Sequence, residues 1–169
     1  DVHMSRGLGD VYKRQDEPLL VDASFFATLS KRKLRWGFVS GAEPPSARFV
    51  LQQRLGLQDP PLIAMGDAPD KPDPTGLIRL AKALGASAEG VQVAYLGDTV
   101  ADVNTVIQAR ERWPEQPFVS LAVAPPHLQT PEQAAARDIY EQRLREAGAD
   151  QVLTTTEAVL HWDCLLYTS

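Results

Sequence analysis

Sulfur and imidazole are scarce in this sequence: 169 residues carry one cysteine, Cys164, and three histidines. A single cysteine excludes an internal disulfide framework and a cysteine-built zinc site. His3, His127 and His161 are scattered and share no metal-ligand spacing. Basic charge is also short: 17 Lys and Arg face 22 Asp and Glu, for a net charge of −5. A nucleic-acid partner would need the opposite balance. No apolar run approaches the roughly 20 residues that a membrane-spanning helix requires, so a membrane is not an expected partner either. Repeats and low-complexity stretches are missing too. A globular domain in a reducing, cytoplasmic setting is the expectation that remains. What is present agrees, because 44% hydrophobic and 23% charged residues can build a core and a solvated surface.

The two ends differ from the middle. Residues 1–15 carry neither helical nor strand periodicity. They also lack the apolar stretch and small-residue site of a signal peptide. SRGLGDVYKRQ at 5–15 and CLLYTS at 164–169 resemble translated sequencing-adapter tails. The expected organisation is a tail at 1–15, a core fragment at 16–163 and a second tail at 164–169.

Between the ends, strands and helices alternate. Arg35–Ser40, Leu62–Met65, Val91–Leu96 and Phe118–Val123 are short apolar runs bounded by Gly, Pro or Asp, which predicts buried strands. Gln151–Leu153 adds a short edge strand. Helical spacing predicts helices over Ser24–Ser30, Ala47–Leu55, Thr75–Leu84, Ala101–Trp113 and Thr130–Ala147. Asp73-Pro74 reads as a helix start and Gly85 as its stop. Thr130-Pro131 reads as a second start. Arg137, Asp138, Glu141, Arg143, Arg145 and Glu146 read as a solvated face, and Trp36 and Trp113 as packing residues. This alternation predicts an α/β fold: a Rossmann-like parallel sheet with helices on both faces.

In such sheets ligands collect beyond the carboxyl ends of the strands. Three polar clusters stand at such positions or at a helix mouth. Ser40-Gly41 can offer a hydroxyl and backbone N–H groups to an anion. Lys71, in Lys71-Pro72-Asp73-Pro74, is held in a stiff loop where it can balance negative charge. Asp98 and Asp102, one helical turn apart in Gly97-Asp98-Thr99-Val100-Ala101-Asp102, are oxygen donors suited to Mg²⁺. Each cluster has a plainer reading: a turn serine, a solvated lysine, and an aspartate that only caps the next helix.

Taken together, FVSGA, KPDPTGL and YLGDTVADV resemble the second, third and fourth motifs of the haloacid dehalogenase superfamily of phosphohydrolases. The likeness is to its subfamily with a helical cap, which holds phosphoglycolate phosphatase-like and β-phosphoglucomutase-like proteins. It runs from about Pro18 to Leu160, and GADQVLTTTEAVL resembles the closing segment. The resemblance implies a Mg²⁺-dependent phosphatase-type hydrolase acting on a small phosphorylated metabolite. It further implies that Ser40, helped by the Gly41 amide, binds the transferring phosphoryl group. Lys71 would balance the charge on nucleophile and phosphate. Asp98 would coordinate Mg²⁺, and Asp102 would support the metal or orient Lys71.

One motif departs from the pattern. The family's first motif, an Asp-x-Asp run after the first strand, supplies the nucleophile and the general acid. No Asp-x-Asp follows an apolar strand in this chain. Asp22 in LLVDASFF has Ser24 where the second carboxylate belongs, and it precedes Ser40 by only 18 residues. That is too short for a strand, a crossover and a return. The expectation is a parent hydrolase whose first strand, first motif and cap lie upstream, with this chain inactive alone and marginally folded. A phosphomutase or dehalogenase on the same scaffold is an alternative. A noncatalytic Rossmann-like binding or receiver-type domain is another.

Overall fold

The computed structural model describes residues 23–40, 45, 48, 51–52, 57, 61–64, 66–86 and 90–161. Of the expected features, the helix at Ala47–Leu55 falls almost wholly outside the described residues. Asp22, Gly41 and both terminal tails do so entirely.

Among the described residues five strands form two parallel sheets. Strand β1 (Phe38–Val39) pairs with β2 (Leu62–Ile63), Phe38 facing Leu62 and Val39 facing Ile63. Strand β3 (Val93–Gly97) pairs with β4 (Phe118–Val123) from Val93–Phe118 to Gly97–Ala122. Strand β5 (Gln151–Leu153) continues on the far side of β4. The order β3-β4-β5 and the parallel sense match the α/β expectation. Two strands are much shorter than their apolar runs predict. Phe38 donates its amide to the Pro61 carbonyl at 2.8 Å, but proline has no N–H to return. The Ser40 amide closes the short ladder on the Ile63 carbonyl at 2.7 Å.

Helices cover both faces. Helix α1 (Ala23–Lys31) buries Phe25, Phe26 and Leu29 against Phe38, Leu121, Leu153 and Val159, so one cluster spans both sheets. Trp36 joins it, with its ring centre 4.9 Å from that of Phe26. On the other face α2 (Thr75–Ala83) and α3 (Val100–Arg112) pack Leu77, Leu80, Ala81, Val106 and Ala109 with Val39, Tyr95 and Phe118. Alternate residues along each strand point to opposite faces, which is why Phe38 and Val39 enter different cores. Helix α4 (Ala134–Ala147) sets Leu144 on Val103 and Ala122.

Three expectations are corrected here. A 3₁₀ turn, Pro131–Gln133, precedes α4, and the Thr130 side chain makes no cap bond; a tight first turn is a common helix entry. Glu141 and Arg137 do not stand on a solvated face. Glu141 is buried and accepts from Arg137 Nε at 3.2 Å, while Arg137 also reaches the Thr154 carbonyl at 3.1 Å. That flank of α4 faces the chain leaving β5, and a buried carboxylate needs such a partner. Asp73 is not the N-cap residue, which is Pro74; its carboxylate instead accepts the Thr75 amide at 2.9 Å and the Thr75 hydroxyl at 2.6 Å. Gly85 does stop α2, with φ +98.

Leu121 is 1% exposed and touches the cluster that holds both sheets. Leu121→Ala is expected to cost about 2–5 kcal/mol, read as a lower urea midpoint.

Candidate active site

The site begins with a helix start. Helix α3 opens at Thr99, whose hydroxyl accepts the Asp102 amide at 3.1 Å, while Asp102 Oδ2 accepts the Thr99 amide at 3.1 Å. This reciprocal capping box satisfies amides that a helix start leaves unpaired. The cap is therefore Thr99 and not Asp98. Thr-x-x-Asp is itself a sequence signature for such a box.

Capping places the Asp102 carboxylate under the turn after β3. Asp102 is 2% exposed, and both its oxygens are occupied. Oδ2 also accepts the Asp98 amide at 3.1 Å and the Thr99 hydroxyl at 2.8 Å. Oδ1 accepts Lys71 Nζ at 2.7 Å and the Tyr95 hydroxyl at 3.1 Å. Burial acting alone would push the Asp102 carboxyl up. The Lys71 ammonium opposes it by charge and hydrogen bond, and together with the Thr99 hydroxyl and the positive N-terminus it leaves the carboxyl below the ordinary value.

Gly97 makes room for this carboxylate. A methyl built on Gly97 would come within 2.6 Å of Asp102 Oδ2 and would overlap the Asp102 side chain. Only a residue without a Cβ fits at the end of β3.

Tyr95 is the residue that sequence reasoning missed. It is 6% exposed in the middle of β3, with its hydroxyl on Asp102 and 3.5 Å from Lys71 Nζ. Burial first, then the Asp102 carboxylate, push this hydroxyl well above the usual phenol value. It stays protonated and donates. A tyrosine among apolar strand residues signals a buried hydroxyl that must find a partner.

Lys71 comes from the loop before α2, across a cis bond to Pro72. Its side chain is 9% exposed, so it is not a solvated lysine. The same loop is tied down further on: Arg112, ending α3, donates to the Thr75 hydroxyl at 2.7 Å and lies 3.6 Å from Asp73. The Thr75 bonds, above all, hold the half-buried Asp73 carboxyl below its ordinary value.

Ser40 is 5% exposed at the carboxyl end of β1. The residue before it, Val39, shares a core with Tyr95 and faces Gly76 in the first turn of α2, where an added methyl would lie 3.6 Å from Val39 Cγ1. Asp98 is 6% exposed at the carboxyl end of β3. Bonded contacts thus join Lys71, Asp102, Tyr95 and the Asp98 backbone, with Ser40 on the neighbouring sheet beside the helix that Lys71 precedes. Gly41 lies outside the described residues. His127 is exposed, and the described residues hold no group of three or more His, Cys, Asp or Glu placed to bind a metal.

The haloacid dehalogenase-like hydrolase model matches residues 2–110, and the chain belongs to that family. It is thus a member of a hydrolase family with an α/β, Rossmann-like core. A phosphonoacetaldehyde hydrolase-like protein from Oleispira antarctica has a similar fold, with TM-score 0.66 and 18% identity over 85% of this chain and 54% of that one. A hydrolase from Pseudomonas syringae gives 0.60 and 22%, over 83% and 57%. A haloacid dehalogenase-like hydrolase from Bacteroides fragilis gives 0.55 and 20%, over 80% and 56%. The chain spans a little over half the length of each of these structures. No curated protein matches it. No helix among the described residues is long and apolar enough to cross a membrane.

Two outcomes follow from this geometry. Gly97→Ala is expected to displace Asp102 and to cost about 1–3 kcal/mol in urea unfolding. Asp102 has a folded pKa below its unfolded one, so its contribution is full above about pH 4 and fades as pH falls through the folded value. Lys71→Met leaves the buried carboxylate without its counter-charge. The acid-unfolding midpoint, followed by circular dichroism, is expected to move to higher pH.

Proposed function

We propose that this chain carries the phosphate- and metal-binding rim of a Mg²⁺-dependent phosphohydrolase acting on a small phosphorylated metabolite. Family membership supports hydrolysis. One observation carries the finer reading: Lys71, bonded at 2.7 Å to Asp102, whose other oxygen holds the Asp98 amide. The ammonium is thereby held on one carboxylate whose other oxygen holds the backbone of a second aspartate at a strand end. Phosphoryl transfer needs just such positioning and charge balance.

Asp98 would hold the metal. Both Asp102 oxygens already serve protein donors, so Asp102 is assigned to orienting Lys71. One carboxylate completed by water and phosphate oxygens is a donor set that Mg²⁺ accepts. Bound there, the cation would neutralise charge on the phosphate oxygens. Lys71 would offset the remaining charge with its ammonium. Ser40, at the end of β1, would donate its hydroxyl to a phosphoryl oxygen, aided by the Gly41 amide. Since no Asp-x-Asp follows an apolar strand here, the attacking carboxylate and the general acid are assigned to sequence outside this chain.

The test extends the chain upstream of residue 16 from its gene and assays p-nitrophenyl phosphate. The extension is expected to encode Asp-x-Asp after an apolar strand and to give Mg²⁺-dependent turnover. The 169-residue chain is expected to give none. In the extended protein Lys71→Ala should lower kcat by about 10²–10³-fold. Turnover by the short chain, or failure of the extended protein on every phosphate ester while it dehalogenates a haloacid, would overturn the reading.

A further inference from the structure

We propose that Tyr140 is a positioning residue for the Asp98 carboxylate. The proposal rests on the reading of Asp98 as the metal-holding residue. It starts from a hydrogen bond between distant parts of the chain. The β3 ladder ends at Gly97, opposite Ala122, and the first carbonyl used within α3 is that of Thr99, which accepts the Asp102 and Val103 amides. The Asp98 carbonyl lies between the end of that ladder and the helix start. The Tyr140 hydroxyl donates to it at 2.5 Å, from α4 and from 42 residues further along the chain.

The consequence is geometric. A residue's side-chain direction follows from the two peptide planes that flank its Cα. The plane before Asp98 is held through its N–H by Asp102 Oδ2 at 3.1 Å, and the plane after it through its C=O by Tyr140. With both planes held, the direction of the Asp98 Cα–Cβ bond is set, and that narrows the ways its carboxylate would meet a cation. The Tyr140 ring is itself held against the Val103, Ala122 and Leu144 cluster between α3, β4 and α4. Tyr140 also lies beyond residues 2–110, so the match to the family model does not reach it. The tyrosine thus joins helix α4 to the site's strand end.

The experiment compares four forms of the 169-residue chain: unsubstituted, Tyr140→Phe, Ile107→Ala and Asp98→Asn. Mg²⁺ affinity is read by calorimetry, and exchange of the Asp98 and Thr99 amides by NMR. Tyr140→Phe keeps the ring and removes only the hydroxyl. It is expected to weaken Mg²⁺ about 10-fold, in the range seen when residues supporting metal ligands are changed, and to speed exchange at both amides. Ile107→Ala loosens the same cluster without touching the hydrogen bond. It should lower the melting temperature and leave Mg²⁺ affinity within twofold. If Tyr140→Phe binds like the unsubstituted chain while Asp98→Asn loses the ion, the positioning role is wrong and the metal assignment stands. Equal loss in Tyr140→Phe and Ile107→Ala also overturns it, as a packing effect. If the unsubstituted chain and Asp98→Asn respond to Mg²⁺ alike, the metal assignment falls and this inference with it.

Discussion

A carboxylate that is 2% exposed cannot remain ionised without donors around it, and Asp102 has gathered them from four directions. Lys71 comes from the loop before α2, Tyr95 from the middle of β3, Asp98 from the turn, and Thr99 from the helix cap. Each of these groups is placed by its bond to Asp102. The helix start and the candidate site are therefore one structure. A change that moves the carboxylate moves the lysine, the turn and the cap together. Gly97 belongs to the same unit because the space beside it is filled by the Asp102 side chain.

The surrounding fold supplies the rigidity this arrangement needs. One core runs under both sheets through Phe38, Leu121 and Leu153, and another over them through Val39, Tyr95 and Phe118. Arg110 clamps α3 to β4: it donates to the Phe118 carbonyl and pairs with Asp150, whose carboxylate accepts the Ser120 amide at 2.7 Å. Ser40 and Asp98 sit at the carboxyl ends of strands, and Lys71 in the loop before α2, where helix starts and loops converge. Placement at that edge supports a ligand-binding role. The identity of the ligand rests on the particular side chains, since one such fold serves many reactions.

Much of this was legible in the sequence. Phe118–Val123 is an apolar run bounded by turn signals and keeps its expected bounds, and Gln151–Leu153 is the expected short edge strand. The α/β order followed from alternation of such runs with helical spacing. Lys71, Asp98 and Asp102 were legible as a constellation from their spacing, and three of the motif residues do meet. What stayed hidden depends on partners far away in the chain. A strand ends where its neighbour stops pairing, so Arg35–Ser40 shrank to Phe38–Val39 once Pro61 stood opposite. Tyr140 contacts a carbonyl 42 residues away, which no local pattern announces. Glu141 looked solvated because its burial is set by where the chain goes after β5. The capping box was the exception: Thr99 and Asp102 are local, and the pattern was there to be read.

Different tasks are proposed for the two aspartates: Asp98 for the cation, Asp102 for the lysine. A crystal structure of the chain grown with Mg²⁺ and inorganic phosphate tests that division most directly. The expected result is Mg²⁺ about 2.0–2.1 Å from an Asp98 oxygen, with phosphate on Lys71 and Ser40 and Asp102 still bonded to Lys71. Mg²⁺ seated on Asp102, with Lys71 turned away from it, would contradict the account.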